Sequence, residues 1–377
     1  MDISSEMIHA LLPLFLTTTL GASVILVGII DGVAESTAAI SKVFSGYISD
    51  KIGRRKPLIL LGYGLGAISK PFFALAGAPA LVFGARFADR IGKGLRGAPR
   101  DALVADVTPP QIRGRAYGLR QALDTIGAFL GPLIAIVLMA LLANDMRMVF
   151  WLALIPALIA VVLVILGVED RVPAKTSTRP PIQLRDLRRL SPGFWSIAAL
   201  GVVFTLARFS EAFLVLKASA EGLALALAPL VLVVMNVVYS LGAAPAGALS
   251  DRIPARGLLF WGLAALIGAD LALALGEGLA GAFAGICLWG VHMALTQGLL
   301  TKLVADHAPD DLRGSAFGFF NLATGLAMLI ASVVAGVLWE VAGPDATFLA
   351  GAAFALVAAL MLVAQPNRQN SSSFDRH

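Results

Sequence analysis

The sequence predicts an all-α membrane protein whose twelve transmembrane helices form two pseudo-symmetric six-helix bundles. Three observations lead there. The stretch DALVADVTPPQIRGRAYG from Asp101 returns as TKLVADHAPDDLRGSAFG from Thr301, with nine of eighteen residues shared. A second echo lies upstream of each copy, where GYISDKIGRR from Gly46 answers GALSDRIPAR from Gly247. Both echoes interrupt long apolar runs, in a chain that is 58% hydrophobic, 14% charged and has a mean hydropathy of +0.85. A repeat of that length built from apolar runs is a bundle of membrane helices used twice.

Crossing a bilayer takes about 20 apolar residues per helix. Such spans fall near 4–20, 24–47, 57–76, 79–106, 112–142 and 147–168, which makes six in the first half. The second half places them near 193–217, 223–250, 257–275, 280–305, 312–339 and 346–364. The expected organisation is an N-terminal bundle over 1–168, a linker over 169–192, a C-terminal bundle over 193–366 and a disordered polar tail over 367–377. The apolar runs are continuous, which excludes the alternating pattern of an outer-membrane barrel.

Lysine and arginine set the orientation. Lys51, Arg54, Arg55 and Lys56 follow span two, Arg113 and Arg115 follow span four, and six more lie between Arg171 and Arg189. The opposite loops, near Gly21, Gly77, Asn144, Gly222, Gly276 and Gly343, hold little positive charge beyond Arg147 and Lys217. Both termini are therefore expected in the cytoplasm of a bacterial cell, with the chain in its inner membrane. The net charge of +5 then reflects topology and makes no case for nucleic acid. Cys287 is the single cysteine, so no internal disulfide forms. The first residues are acidic where a signal peptide is basic, and they are expected to be retained.

Gly46, Asp50, Lys51, Gly53, Arg54 and Arg55 match the pattern G-x-x-x-D-[RK]-x-G-[RK]-[RK]. Placed after span two, this resembles the loop signature of the major facilitator superfamily. Arg90 to Gly94 and Asp106 to Gly114 are similar to that family's span-four motif, and the resemblance runs along essentially the whole chain. It implies a secondary transporter that alternates access by rocking its halves. Gly53 supplies the tight turn, while Asp50 is expected near the N-terminus of a span in the other half, span eleven. The resemblance pairs Arg54 with Asp106 as a gate, with Arg113, Gly247, Asp251 and Arg313 as further gating positions. Pro254 and Ala255 replace the glycine and arginine of the second copy, which weakens its latch. Relatives of this kind enter span one some fifteen residues earlier, whereas here Asp2, Ser4, Ser5 and Glu6 sit at its mouth. Either Met1 is not the start or span one is short.

Span four carries Arg86, Asp89, Lys93, Arg96 and Arg100 at steps of three, four, three and four, which puts five charges on one helical stripe. Each charge at the bilayer centre costs at least ~2.5 kcal/mol, so the stripe must face water or carboxylates. Asp31 and Glu35 on span two, Asp124 on span five, and Asp2 and Glu6 are the candidate partners. At the repeat offset, Arg90, Lys93 and Arg96 become Gly290, Met293 and Thr296, while Arg120 and Asp124 become Phe320 and Thr324. An insertion device would have been kept in both halves. The stripe therefore serves ion coupling or substrate binding, the alternative being a structural salt-bridge network. Asp31, Glu35 and Asp124 are the expected proton carriers, tuned by Arg90, which matches the arginine that the family associates with proton relay. Gly127, Gly131 and Pro132 on span five partly resemble the antiporter signature G-x-x-x-G-P, which permits close helix packing and a bend.

The remaining cavity candidates are Arg120, Arg208, Glu211, Asn236, Tyr239, His292, Gln297 and Asn321. His292 is a lone histidine and no His/Cys cluster exists for a metal. The expected function is proton-coupled transport, most simply export, of a small anionic or zwitterionic organic solute. It needs no cofactor beyond the proton gradient and no partner beyond solute and bilayer, and it runs as a monomer. Divalent-metal export, with Asp31, Glu35 and Asp124 as ligands, and lipid flipping on the same fold are the alternatives. No nucleophile–base–oxyanion set and no G-x-x-x-x-G-K-[ST] loop is present, which argues against an enzyme or a nucleotide-driven pump.

Overall fold

The computed structural model describes residues 1–170, 187, 189–250, 253–296, 298–309 and 312–364, and among them every regular element is helical. Span two is Val24–Ile52, three Lys56–Leu75, four Pro79–Val107 and five Arg113–Leu141; span six runs as Met146–Leu152 and Leu154–Gly167. Span seven is Pro192–Ala207 and Ala212–Ala220, eight Leu230–Ser250, nine Ala255–Leu275 and ten Gly278–Thr296 with Leu299–His307. Spans eleven and twelve are Arg313–Ala342 and Pro344–Ala364. Among the described residues ten helices are long and apolar enough to cross a membrane on composition alone. The other two crossings are span four, disqualified by its charges, and span one. The linker over 171–186 and the tail over 367–377 lie outside the described residues.

Spans one and seven, expected as continuous rods, are broken. Span one is Asp2–His9, then Leu12–Leu14, then a π turn over Phe15–Thr19. Pro13 has no N–H to continue the first segment. Thr17 and Thr18 donate back to the carbonyls of Pro13 (3.0 Å) and Leu14 (2.6 Å), which closes the widened turn. Span seven leaves the helix at Arg208, and the Ser210 hydroxyl accepts the N–H of Ala212 at 3.1 Å to restart it.

Large apolar side chains such as Leu61, Ile68, Leu141, Leu166, Val341 and Val363 stand exposed around the outside. A belt of that kind is a lipid-facing surface. One buried apolar core runs through both halves, which meet where span two packs on span eleven and span five on span eight. Glycine makes the first contact close. A Cβ at Gly336 would stand 2.8 Å from the Ile25 Cα, one at Gly32 would stand 3.1 Å from the Leu329 Cα, and one at Gly28 would overlap the Ser332 carbonyl. Ile25 N–H also donates to Glu340 at 3.1 Å. These contacts lie on the side away from the basic loops. Further along the same pair, a Cβ at Gly325 would meet Ala39 and the Ser36 carbonyl at 3.6 Å, so the contact continues at ordinary van der Waals distance. The halves are thus in close contact on the far side, and a cavity opens between them toward the basic side, with Lys42 and Arg100 in its lining.

Candidate functional site

The opening is a cavity of about 540 Å³. Span four supplies one wall through Lys93, Arg96 and Arg100, span two through Glu35 and Lys42, span five through Asp124, and span one through Asp2 and Glu6. The C-terminal half contributes Asn236, Tyr239 and Met293. One wall is densely charged and the facing wall is nearly neutral.

Behind the charged wall each cation finds a carboxylate. Arg86 reaches Asp31 at 3.3 Å and Glu35 at 3.8 Å, and Arg90 reaches Glu35 at 3.2 Å. Asp89 turns the other way and takes the Lys70 ammonium at 2.8 Å, which also donates to Ser5 at 3.1 Å. Arg96 pairs with Asp2 at 3.5 Å and lies over the Tyr63 ring at 5.0 Å. Toward the basic side Arg100 grips Asp124 at 3.1 Å, while Arg120 reaches Asp101 at 2.9 Å and Asp124 at 3.2 Å. Lys70, Arg86, Asp89, Arg90 and Asp31 are all buried. Buried charges survive only when paired in this way, because removing one partner strands the other.

Lys93 differs. It stands exposed to the cavity, and no carboxylate among the described residues lies within 4.0 Å of its ammonium. The acids therefore cancel the stripe except at this one position.

A single polar link crosses between the halves in the buried interior described here. Ser210, at the break of span seven, donates to Asp31 Oδ2 at 2.9 Å. The carboxylate thus ties the charged wall to the discontinuity of a C-terminal helix.

The loop after span two shows a different wiring from the expected one. Arg55, and not Arg54, reaches Asp106 at 3.3 Å. It is buried, pairs with Asp50 and donates to Ser49 at 2.6 Å. Arg54 is exposed and lies 3.8 Å from Asp170, whose Oδ1 caps span three by accepting the N–H groups of Arg55 (2.9 Å) and Lys56 (2.8 Å). Gly53 at φ 73° makes the reversal and sets which arginine points inward. Asp50 is held within its own loop by Arg55, and the side chain of Arg313 at the start of span eleven, beside which it was expected, lies outside the described residues.

Several expected cavity residues lie elsewhere. His292 is fully buried, with its Nδ1 2.8 Å from the Gly262 carbonyl and its ring stacked on Phe204. Its contact with the Gly262 carbonyl turns it toward span nine, a rotation that an all-apolar span does not reveal in sequence. Arg208 and Glu211 pair with each other at 3.8 Å and, like Asn321, do not line the cavity. Arg86, Asp89, Arg90 and Arg120 belong to the wall's wiring and not its surface. Gly46 lets spans two and four approach, a Cβ there standing 3.3 Å from Ala98. Gly127 and Gly131 seat span one, since a Cβ would stand 3.0 Å from Asp2 and 2.7 Å from Glu6. Pro132 lies inside span five, Gly247 near the basic end of span eight, and exposed Arg113 donates to the Thr108 carbonyl at 3.2 Å. Asp251, Gln297 and the side chain of Arg313 lie outside the described residues.

Lys70, Ser210 and Asp170 are not singled out by the sequence, whereas Asp101, expected with Arg100 as a gate or interface charge, lies between Arg100 and Arg120. Lys70 carried a usable signal, as a lone lysine deep inside an otherwise apolar span. Ser210 and Asp170 are ordinary in sequence and acquire their roles only from packing.

The family model described as Major Facilitator Superfamily matches residues 1–331 and 222–376. An uncharacterised MFS-type transporter of Methanocaldococcus jannaschii is 30% identical over 370 residues, covering 96% of this chain and 91% of that protein. The multidrug resistance protein MdtH of Edwardsiella ictaluri is 35% identical over 132 residues, 35% of this chain and 32% of its own length. Among solved structures, the nucleoside transporter NupG (D323A mutant) superposes with a TM-score of 0.81 at 14% identity, covering 96% of each chain. That last likeness speaks for the fold alone.

Proposed function

Because the chain belongs to the major facilitator superfamily, we propose that it is a proton-coupled exporter of a small zwitterionic or anionic organic solute. The observation that carries this reading is Lys93, a cation without an ion-pair partner among the described residues, standing in a 540 Å³ cavity between the halves. A carboxylate or phosphate on the solute would complete it, at hydrogen-bond strength for charged groups of about 1.5–3 kcal/mol. Asn236 and Tyr239 on the opposite wall offer polar contacts, and Met293 an apolar one. Solute bound there touches both halves, the requirement for rocking between two faces.

Coupling is assigned to Asp31, Glu35 and Asp124. Each is a carboxylate held by arginine, so a proton arriving on it dissolves an ion pair that organises the wall. Arg90 keeps its charge and sets when Glu35 gives its own up. The basic side is taken as cytoplasmic by the positive-inside rule, which places the open cavity toward the cytoplasm of a cell's inner membrane and both termini inside. Loading from the cytoplasm, together with the likeness over 132 residues to a multidrug resistance protein, favours export. Divalent-metal export fits less well, since each acid already faces a guanidinium.

Proteoliposomes test the reading. Labelled amino acids and dicarboxylates are offered under an imposed pH gradient, with wild type compared to Lys93→Gln, Asp31→Asn, Glu35→Gln and Asp124→Asn. Gradient-driven accumulation of one class, lost in Lys93→Gln and uncoupled in a carboxylate variant, is expected. Accumulation of divalent cations or transfer of labelled lipid in place of these solutes would overturn it.

A further inference from the structure

The two halves place their third and fourth helices in one register. In the first, a Cβ on Gly62 would strike Arg96; in the second, a Cβ on Gly262 would strike Thr296, two hundred residues later at both positions. By that register Asp270 on span nine occupies the place of Lys70, and Trp289 on span ten the place of Asp89. The first pair is a buried ion pair at 2.8 Å. The second puts a carboxylate and an indole at those positions with no hydrogen bond between them, Trp289 Nε1 and both Asp270 oxygens being without a partner.

Asp270 is fully buried, and neither of its oxygens has a hydrogen-bond partner. Gly351 of span twelve closes over it, where an added Cβ would stand 2.7 Å from Oδ2 and 2.9 Å from the Phe209 ring. Phe209, in the break of span seven, packs in turn on Trp289 and Phe348. The ionisable groups on the elements around it are few. Span ten brings His292, committed through Nδ1 to Gly262, and the break of span seven brings Arg208 and Glu211, paired to each other at 3.8 Å. Span twelve has only Asp345, which is engaged with Lys217 at 3.0 Å, and span nine adds Arg256, which donates to the Leu362 carbonyl. No cation among the described residues comes within 4.0 Å of Asp270.

We propose that Asp270 is a proton-binding site of the C-terminal half, loaded in the conformation seen here and emptied when the broken segment of span seven moves off it. An ionised carboxylate without cation or donor is untenable in an apolar interior. With no further oxygen donors at the site, a proton fits and a metal cation does not. The broken segment is the natural trigger, because Phe209 seals Asp270 while Ser210, the next residue, is bound to Asp31 in the other half. Movement that exchanges the open face would disturb both contacts together. This site extends the proposed transport reading, on which its role in coupling rests, by adding a proton-binding residue outside the charged wall.

Infrared spectroscopy of the full chain in liposomes tests it without any solute, so its failure is separable from failure of the transport reading. Wild type is expected to show a protonated-carboxyl C=O band near neutral pH that titrates away reversibly at higher pH. The band should vanish in Asp270→Asn and persist in Glu35→Gln. If Asp270→Asn does not fold, ¹³C-aspartate labelling and Gly351→Ala, which crowds Oδ2, should each shift the same band. A wild-type spectrum without the band, a band that never titrates short of unfolding, a band insensitive to both labelling and Gly351→Ala, or one unchanged in folded Asp270→Asn would overturn the proposal.

Discussion

The two halves of this molecule share a fold and a register but not a chemistry. Spans three and four are joined through Lys70–Asp89 and back onto a wall of paired arginines, whereas spans nine and ten are joined through apolar side chains around Trp289 and His292. Gly92 lies against Gly62 in the first half, and Thr296 packs on Gly262 in the second. The helix packing therefore needs no charge. What the first half gains from its charges is a polarised wall facing the cavity; what the second half gains from their loss is an apolar counter-surface against which that wall can move.

The sharpest way to break the comparison is to strand one member of the buried pair. Asp89→Asn leaves Lys70 buried without a counter-charge and should cost about 3–5 kcal/mol of stability, read as a large fall in the melting temperature in detergent. Lys70→Met with Asp89→Leu should recover most of that loss, since the second half lives without the pair. Next in size, Lys93→Gln should lower the affinity for the transported solute by roughly 10–100-fold, on the basis of a charge-assisted hydrogen bond, while leaving the melting temperature nearly unchanged. Equal loss of stability and binding would place Lys93 in the wall's wiring. Gly28→Ala pushes a methyl into the Ser332 carbonyl and should cost about 1–3 kcal/mol of the closed far side. Spin-label distances across the far ends of spans two and eleven should lengthen. The smallest effect is expected from Ser210→Ala, about 1 kcal/mol for one buried hydrogen bond to Asp31, seen as a faster exchange between open faces.

The architecture was legible because the loop motifs repeat at a fixed offset and the apolar runs have membrane length. The breaks in spans one and seven were not, since Pro13 inside a run reads equally as a kink and Arg208 to Glu211 contain no helix-breaking residue. The charged stripe on span four was visible from its spacing alone, and so were Glu35 and Asp31. Its wiring was harder. Arg54 and Arg55 are adjacent in the signature, and only the reversal at Gly53 decides that Arg55 points to Asp106. His292 was misplaced because a helix apolar on every side carries no phase information. Lys70 is a single cation in an otherwise apolar span, and only the packing of spans three and four pairs it with Asp89.

In the proposed exchange, Lys93 in the cavity between the halves binds the solute. The most direct test is accumulation of labelled zwitterionic and anionic solutes in proteoliposomes under a pH gradient, wild type against Lys93→Gln at matched folding. Accumulation in wild type should collapse with the gradient and fall at least tenfold in the variant, for a loss of about 1.4 kcal/mol or more. Equal accumulation by both proteins would contradict this role of Lys93.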